Sequence, residues 1–91
     1  MADQATIATD ILARYAADAA LEVEGVRAIA GRRGVRVSGK ETIRIEIHVV
    51  AQRDASLPAL GRAVQSRVRR YLSSMADVEP TSVDVVVDAV E

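Results

Sequence analysis

Between residues 41 and 50 apolar and polar side chains alternate without a break, in the run ETIRIEIHVV. Ile43, Ile45, Ile47 and Val49 fall on one side, and Arg44, Glu46 and His48 on the other. A period of two is that of a strand with one face buried and one wet. All four inward positions are β-branched, which suits a pleated, half-buried surface. This is the predicted core strand. A second alternation predicts a strand over Ser82–Val90, with Val83, Val85, Val87 and Ala89 inward and Asp84, Val86, Asp88 and Val90 outward. A shorter one covers Val35–Ser38, and Gly39-Lys40 is expected to join it to the core strand as a two-residue type II′ turn. Val26–Ala30 reads as no more than a short extended piece.

The period changes to that of a helix in two places. From Asp10 to Val23, Leu12, Tyr15, Ala16, Ala19, Ala20 and Val23 recur at helical spacing. Thr6 and Thr9 are candidate N-caps, and Gly25 is the expected stop. A second stripe, Leu57, Leu60, Val64, Val68, Leu72 and Met75, begins after a Ser56 N-cap with Pro58 in the first turn. Arg62, Gln65, Ser66, Arg69, Arg70 and Ser73 occupy its other side, and Arg67, Arg69 and Arg70 are expected near the C-terminal end of the dipole. Gly61 is a weak point inside this helix that could permit close packing. Glu79-Pro80 breaks the chain before the last strand.

The order is therefore helix, strands, helix, strand. It predicts an α+β two-layer sandwich, with a three- or four-stranded mixed sheet and both helices on one face. The other face of the sheet is left bare, and it is expected to display Arg36, Arg44, Glu46, His48, Asp84 and Asp88 together with Val50, Val86 and Val90. Residues 1–5 read as a flexible tail and 6–91 as a single domain.

Composition narrows the chemistry. With no cysteine, disulfides, thiol catalysis and cysteine-held metals are excluded. The formal net charge of −1 supplies no global pull toward nucleic acid or anionic lipid. No apolar run reaches the roughly 18 residues of a membrane span, and no signal peptide is recognisable, so the chain reads as cytoplasmic. His48, the single histidine, reads as an ordinary surface residue, since no nucleophile or ligand set accompanies it. Asp84 and Asp88 are about 13 Å apart along a strand, too far to share a proton, and read as solubility charges. No catalytic residue, metal or cofactor is expected. The loop Gly31-Arg32-Arg33-Gly34 has the residue pattern of a KH-type phosphate clamp. It precedes a strand rather than joining two helices, so a nucleic-acid-binding role is the alternative reading only. With Arg62, Arg69 and Arg70, this loop supplies the candidate basic patch.

Three segments carry a family resemblance: IATDILARYAADAALEVEGV at 7–26, VRVSGKETIRIEIHVV at 35–50 and LPALGRAVQSRVRRYLSSMADVEPTSVDVVV at 57–87. Together they resemble the alkaline shock, or general stress, protein family of Gram-positive bacteria. The most telling phrases are Ala20–Val26, the strand ending Val49-Val50, the helix opening at Leu57-Pro58 and the strand at Val83–Val87. The link between Val26 and Val35 departs from the family pattern in lacking a longer glycine-rich insertion. The resemblance implies a small non-enzymatic cytoplasmic protein of the envelope stress response. It also implies a protein-interaction or scaffold module held near the membrane by partner proteins. From the bare sheet face itself, a homo-oligomer is expected.

Overall fold

A computed structural model describes residues 2–31 and 34–91, with side chains from Thr9 onward. The elements run α1 (Ala2–Leu21), β1 (Val26–Ile29), β2 (Val35–Ser38), β3 (Arg44–Ala51), α2 (Leu57–Ala76) and β4 (Ser82–Val90). The short extended piece is thus a strand, and the fold is the expected α+β sandwich with one strand more in its order.

β3 is the hub. Along one edge it pairs in parallel with β4 over its whole length, from Arg44↔Ser82 to Ala51↔Val90. Along the other edge β1 and β2 lie end to end, both antiparallel to it. The backbone of His48 bridges the gap between them: its carbonyl accepts from Ala30 N–H at 2.8 Å, and its N–H donates to the Gly34 carbonyl at 2.6 Å. The sheet is therefore mixed, and three strands wide at any level.

The alternation predicted for β3 is realised. Ile45, Ile47, Val49 and Ala51 are buried, whereas Arg44 is exposed and Glu46, His48 and Val50 are half-buried. Helix α1 covers β1 and β2, and α2 covers β4, on one face of the sheet. Leu12, Ala16, Ala19 and Ala20 of α1 are buried, because alanine lets the helix axis approach the strands closely. Leu60, Val64, Val68 and Leu72 complete the core from α2. Tyr15 and Tyr71 meet edge to face between the helices, with ring centres 5.8 Å apart. Gln65 Nε2 donates to the Val83 carbonyl at 2.9 Å and ties α2 to β4.

Several boundaries differ from expectation. α1 starts at Ala2, so Thr6 and Thr9 lie within it rather than capping it; Ala2, Ala5 and Ala8 favour helix, and no Gly or Pro stops it earlier. Ser56 precedes α2 as expected, but its hydroxyl makes no capping bond. α2 ends before Pro80, at Asp77, which takes a left-handed conformation (φ 55°) while Val78 N–H closes on the Leu72 carbonyl. Arg67, Arg69 and Arg70 therefore lie ahead of the last turn, which holds no basic residue. Leu57 and Met75, at the two ends of the stripe, are exposed.

The β2–β3 link is a loop from Gly39 to Ile43, not a two-residue turn, because Ser38 pairs with Arg44. Gly39 has φ +97°, and a Cβ there would collide with the Thr42 carbonyl oxygen. The loop is wider because Ile43 is drawn toward the core and its carbonyl accepts from Thr81 N–H at 2.7 Å.

Candidate functional site

The face of the sheet away from the helices is built by the alternate residues of β2, β3 and β4. In register order it carries Ser82, Arg44 and Ser38 in one row, then Asp84, Glu46 and Arg36, then Val86 and His48. At the far end Val50 stands opposite Ala28 on one side and Ala89 on the other. Val86 is 38% exposed, an unusual position for a large aliphatic side chain on a free strand face. The sequence-derived residues Arg36, Arg44, Glu46, His48, Val50, Asp84, Val86 and Asp88 are thus brought onto one surface.

Val90 is the exception. β4 slips against β3 between Val49 and Val50: Val87 pairs with Val49, but Ala89 pairs with Val50. Asp88 is the extra residue of a bulge, and beyond a bulge the alternation changes sides. Val90 consequently stands opposite Ala51, whose side chain is buried on the helix face, although Val90 itself remains exposed at the strand end. β1 slips at the same level, since Val26 pairs with Ala51 and Ala28 with Val50, leaving Arg27 as its extra residue. Both neighbours of β3 therefore bulge together. Arg27 Nε lies 3.8 Å from Glu91 Oε1, an exposed ion pair beyond the end of the ladder.

The polar centre of this face is a clasp. His48 Nε2 is 2.7 Å from Glu46 Oε2, and His48 Nδ1 is 2.8 Å from Asp88 Oδ1. A carboxylate only accepts, so both bonds can be made at once only by the imidazolium, whose two nitrogens both donate. The bond to Glu46 first, and that to Asp88 second, raise the His48 pKa above its ordinary 6.5, against the opposing effect of desolvation. His48 is therefore more than an ordinary surface residue, and Asp88 is more than a solubility charge; Asp84 stays exposed beyond the clasp. Glu46 neighbours the ring by alternation along β3, but the sequence hides Asp88, which meets the ring only through the bulged register of β4. A shallow hollow of about 390 Å³ surrounds the clasp, lined by Ala30, Gly31, Arg36, Glu46, His48 and Asp88.

Chemically the clasp holds strands together and stores a titratable charge. Its two carboxylates sit on opposite nitrogens of the ring and do not converge on one point. Among the described residues no group of three or more His, Cys, Asp or Glu is placed to hold a metal ion. A second hollow, about 410 Å³, opens where α2 begins, and its only ionisable linings are Glu24 and Asp54.

The described members of the candidate basic patch, Arg62, Arg69 and Arg70, all lie on α2. Arg32 and Arg33 lie outside the described residues. Their flanking glycines stand between two strands, β1 and β2, not between the two helices that a KH-type clamp requires. Arg69 donates to the Pro80 carbonyl at 2.8 Å and so braces the α2–β4 turn, while Arg67 donates to Glu22 at 2.9 Å and links the helices. Arg62 and Arg70 remain exposed on α2.

No described helix is long and apolar enough to cross a membrane. Among solved structures, a single-residue variant of MamM CTD superposes with a TM-score of 0.63 at 16% identity, over 90% of this chain and 81% of that one. A nickel form of another MamM CTD variant gives 0.62 at 16% identity, over 90% and 99%. At this identity the likeness is one of fold. No curated protein matches the chain. A family model does, over residues 30–91, which takes in β2, β3, α2 and β4. The chain belongs to the alkaline shock protein 23 family, of cell envelope-related function.

Proposed function

We propose that this chain is a non-enzymatic interaction module of the envelope stress response in Gram-positive bacteria. It works in the cytoplasm, held near the membrane by protein partners, with residues 6–91 as the functional unit. Its docking surface is the open face of the sheet, and its first partner is a second copy of itself. The observation that carries this reading is the row Asp84, Glu46, Arg36 across that face, beside the exposed Val86. The acidic end of the row lies on β4 and the basic end on β2. A second copy, turned over about an axis parallel to β3, brings its own Asp84 above Arg36 and its Arg36 above Asp84. Opposite charges then meet twice, with Glu46 and His48 of β3 along the axis and Val86 of β4 covered to one side of it, the isologous arrangement of a two-fold dimer.

The use of His48 supports the non-enzymatic reading: while the ring donates from both nitrogens to carboxylates it has no lone pair with which to act as a base. Envelope-related function is then exerted through contacts alone. Light scattering at tens of micromolar tests the reading, with Val86→Asp as the comparison. The parent is expected to have twice the mass of the variant; a parent that scatters as a monomer contradicts it.

A further inference from the structure

We infer that the Glu46–His48–Asp88 clasp is a proton-operated control on self-association at the open sheet face, which favours docking when the ring is protonated and opposes it when the ring is neutral. This deepens the reading of that face as the docking surface and rests on it.

The geometry supplies the device. His48 sits at the middle of the face, opposite Val86 and two residues from Glu46 on the same strand. Among the described residues, the charged groups sharing that face are Arg44 and Glu46 on β3, Arg36 on β2, and Asp84 and Asp88 on β4. β1 contributes no charge beside the ring, since Ala28 is its residue opposite Val50, and Arg27 is engaged with Glu91. With the ring protonated, Arg36, Arg44 and His48 match Glu46, Asp84 and Asp88 among the described residues. Loss of the proton removes one positive charge from the middle of each face and leaves Glu46 and Asp88 uncompensated there, so two copies meet with more like-charge repulsion.

Deprotonation also breaks the clasp itself. Neutral imidazole keeps one N–H, so one carboxylate loses its donor and faces a lone pair instead. Where that carboxylate is Asp88, the side chain that anchors the β4 bulge swings free on the edge strand. An Asp88 carboxylate released from its donor stands on the docking face as an uncompensated charge, which adds to the repulsion between two copies. The raised His48 pKa places the change above the ordinary 6.5.

The test is sedimentation equilibrium of the untagged chain at pH 6.0 and pH 9.0, beside His48→Gln, whose amide donates without titrating. The parent is expected to associate roughly three- to tenfold more weakly at the higher pH, as one exposed like-charge contact in each copy implies. The variant should associate equally at both. Thermal melts of the variant at each pH establish that it is folded, and a titration of the single histidine by proton NMR reports the clasp without requiring association. Self-association of the parent that does not change with pH, or a variant that follows the parent's pH dependence, overturns the control by His48 and leaves the docking face standing. A parent that stays monomeric at both pH values overturns the docking face as well.

Discussion

His48 and Asp88, forty residues apart in the chain, meet at 2.8 Å where β4 slips by one residue against β3. The bond links the central strand to an edge strand, so the state of one ring is tied to the pairing of the longest ladder in the sheet. Because the folded pKa of His48 is raised above 6.5, the clasp contributes stability fully below that value and loses it as pH rises through the folded pKa. Thermal unfolding followed upward from pH 6 should show the parent losing stability over this window. His48→Gln should show a flatter profile. Equal slopes for the two chains would mean that the clasp does not differ between the folded and unfolded states.

Ile47 has no exposed surface and sits at the centre of β3 between the helices and the sheet. Ile47→Ala removes buried methyl groups that α1 and α2 cannot collapse to replace, at a cost of about 2–5 kcal/mol. A domain of this size holds roughly 5–14 kcal/mol in all. Urea unfolding should therefore show a large fall in midpoint or a chain already unfolded in buffer.

Gly61 lies inside α2, and a Cβ placed there meets no atom within 4 Å. Close packing does not require it. Gly61→Ala should stabilise the protein by about 1 kcal/mol, because alanine restricts the unfolded chain and favours helix. Gly39→Ala is the counterpart: its positive φ and the Thr42 carbonyl oppose any side chain, and the variant should lose about 1–3 kcal/mol. Denaturant midpoints for the two variants should move in opposite directions.

Arg69 donates to the Pro80 carbonyl across the turn that launches β4, whereas Arg62 is exposed on the same helix. Arg69→Gln should destabilise by about 1 kcal/mol, and Arg62→Gln should be nearly silent. Equal effects in unfolding experiments would return Arg69 to the solvated face on which sequence periodicity alone places it.

Most of the architecture was legible in the residue pattern. The strict alternation of Ile43–Val49 and the stripe Leu60–Leu72 identify β3 and α2 because each period is uninterrupted. β1 was only half legible: its bulge at Arg27 breaks the alternation that would mark a strand. The bulge at Asp88 was likewise not legible: it sets Val90 opposite Ala51 in register, although Val90 stays exposed. A bulge is set by pairing with another strand, so its position cannot be located from the period of its own strand alone. The eight residues gathered on the open face could be read from alternation, but the clasp could not. It depends on a contact between Asp88 and His48 that only the β3–β4 register creates.

Concentration-dependent NMR shifts of the backbone amides test the docking face most directly, because they locate the contact as well as detect it. On dilution from about a millimolar at pH 6, the shifts should concentrate at Glu46, His48, Val50, Asp84 and Val86, and should leave Arg62 and Arg70 of α2 unmoved. Shifts confined to the α2 surface, or spectra that do not change with concentration, would contradict the assignment of the open sheet face as the surface on which this protein meets its copy.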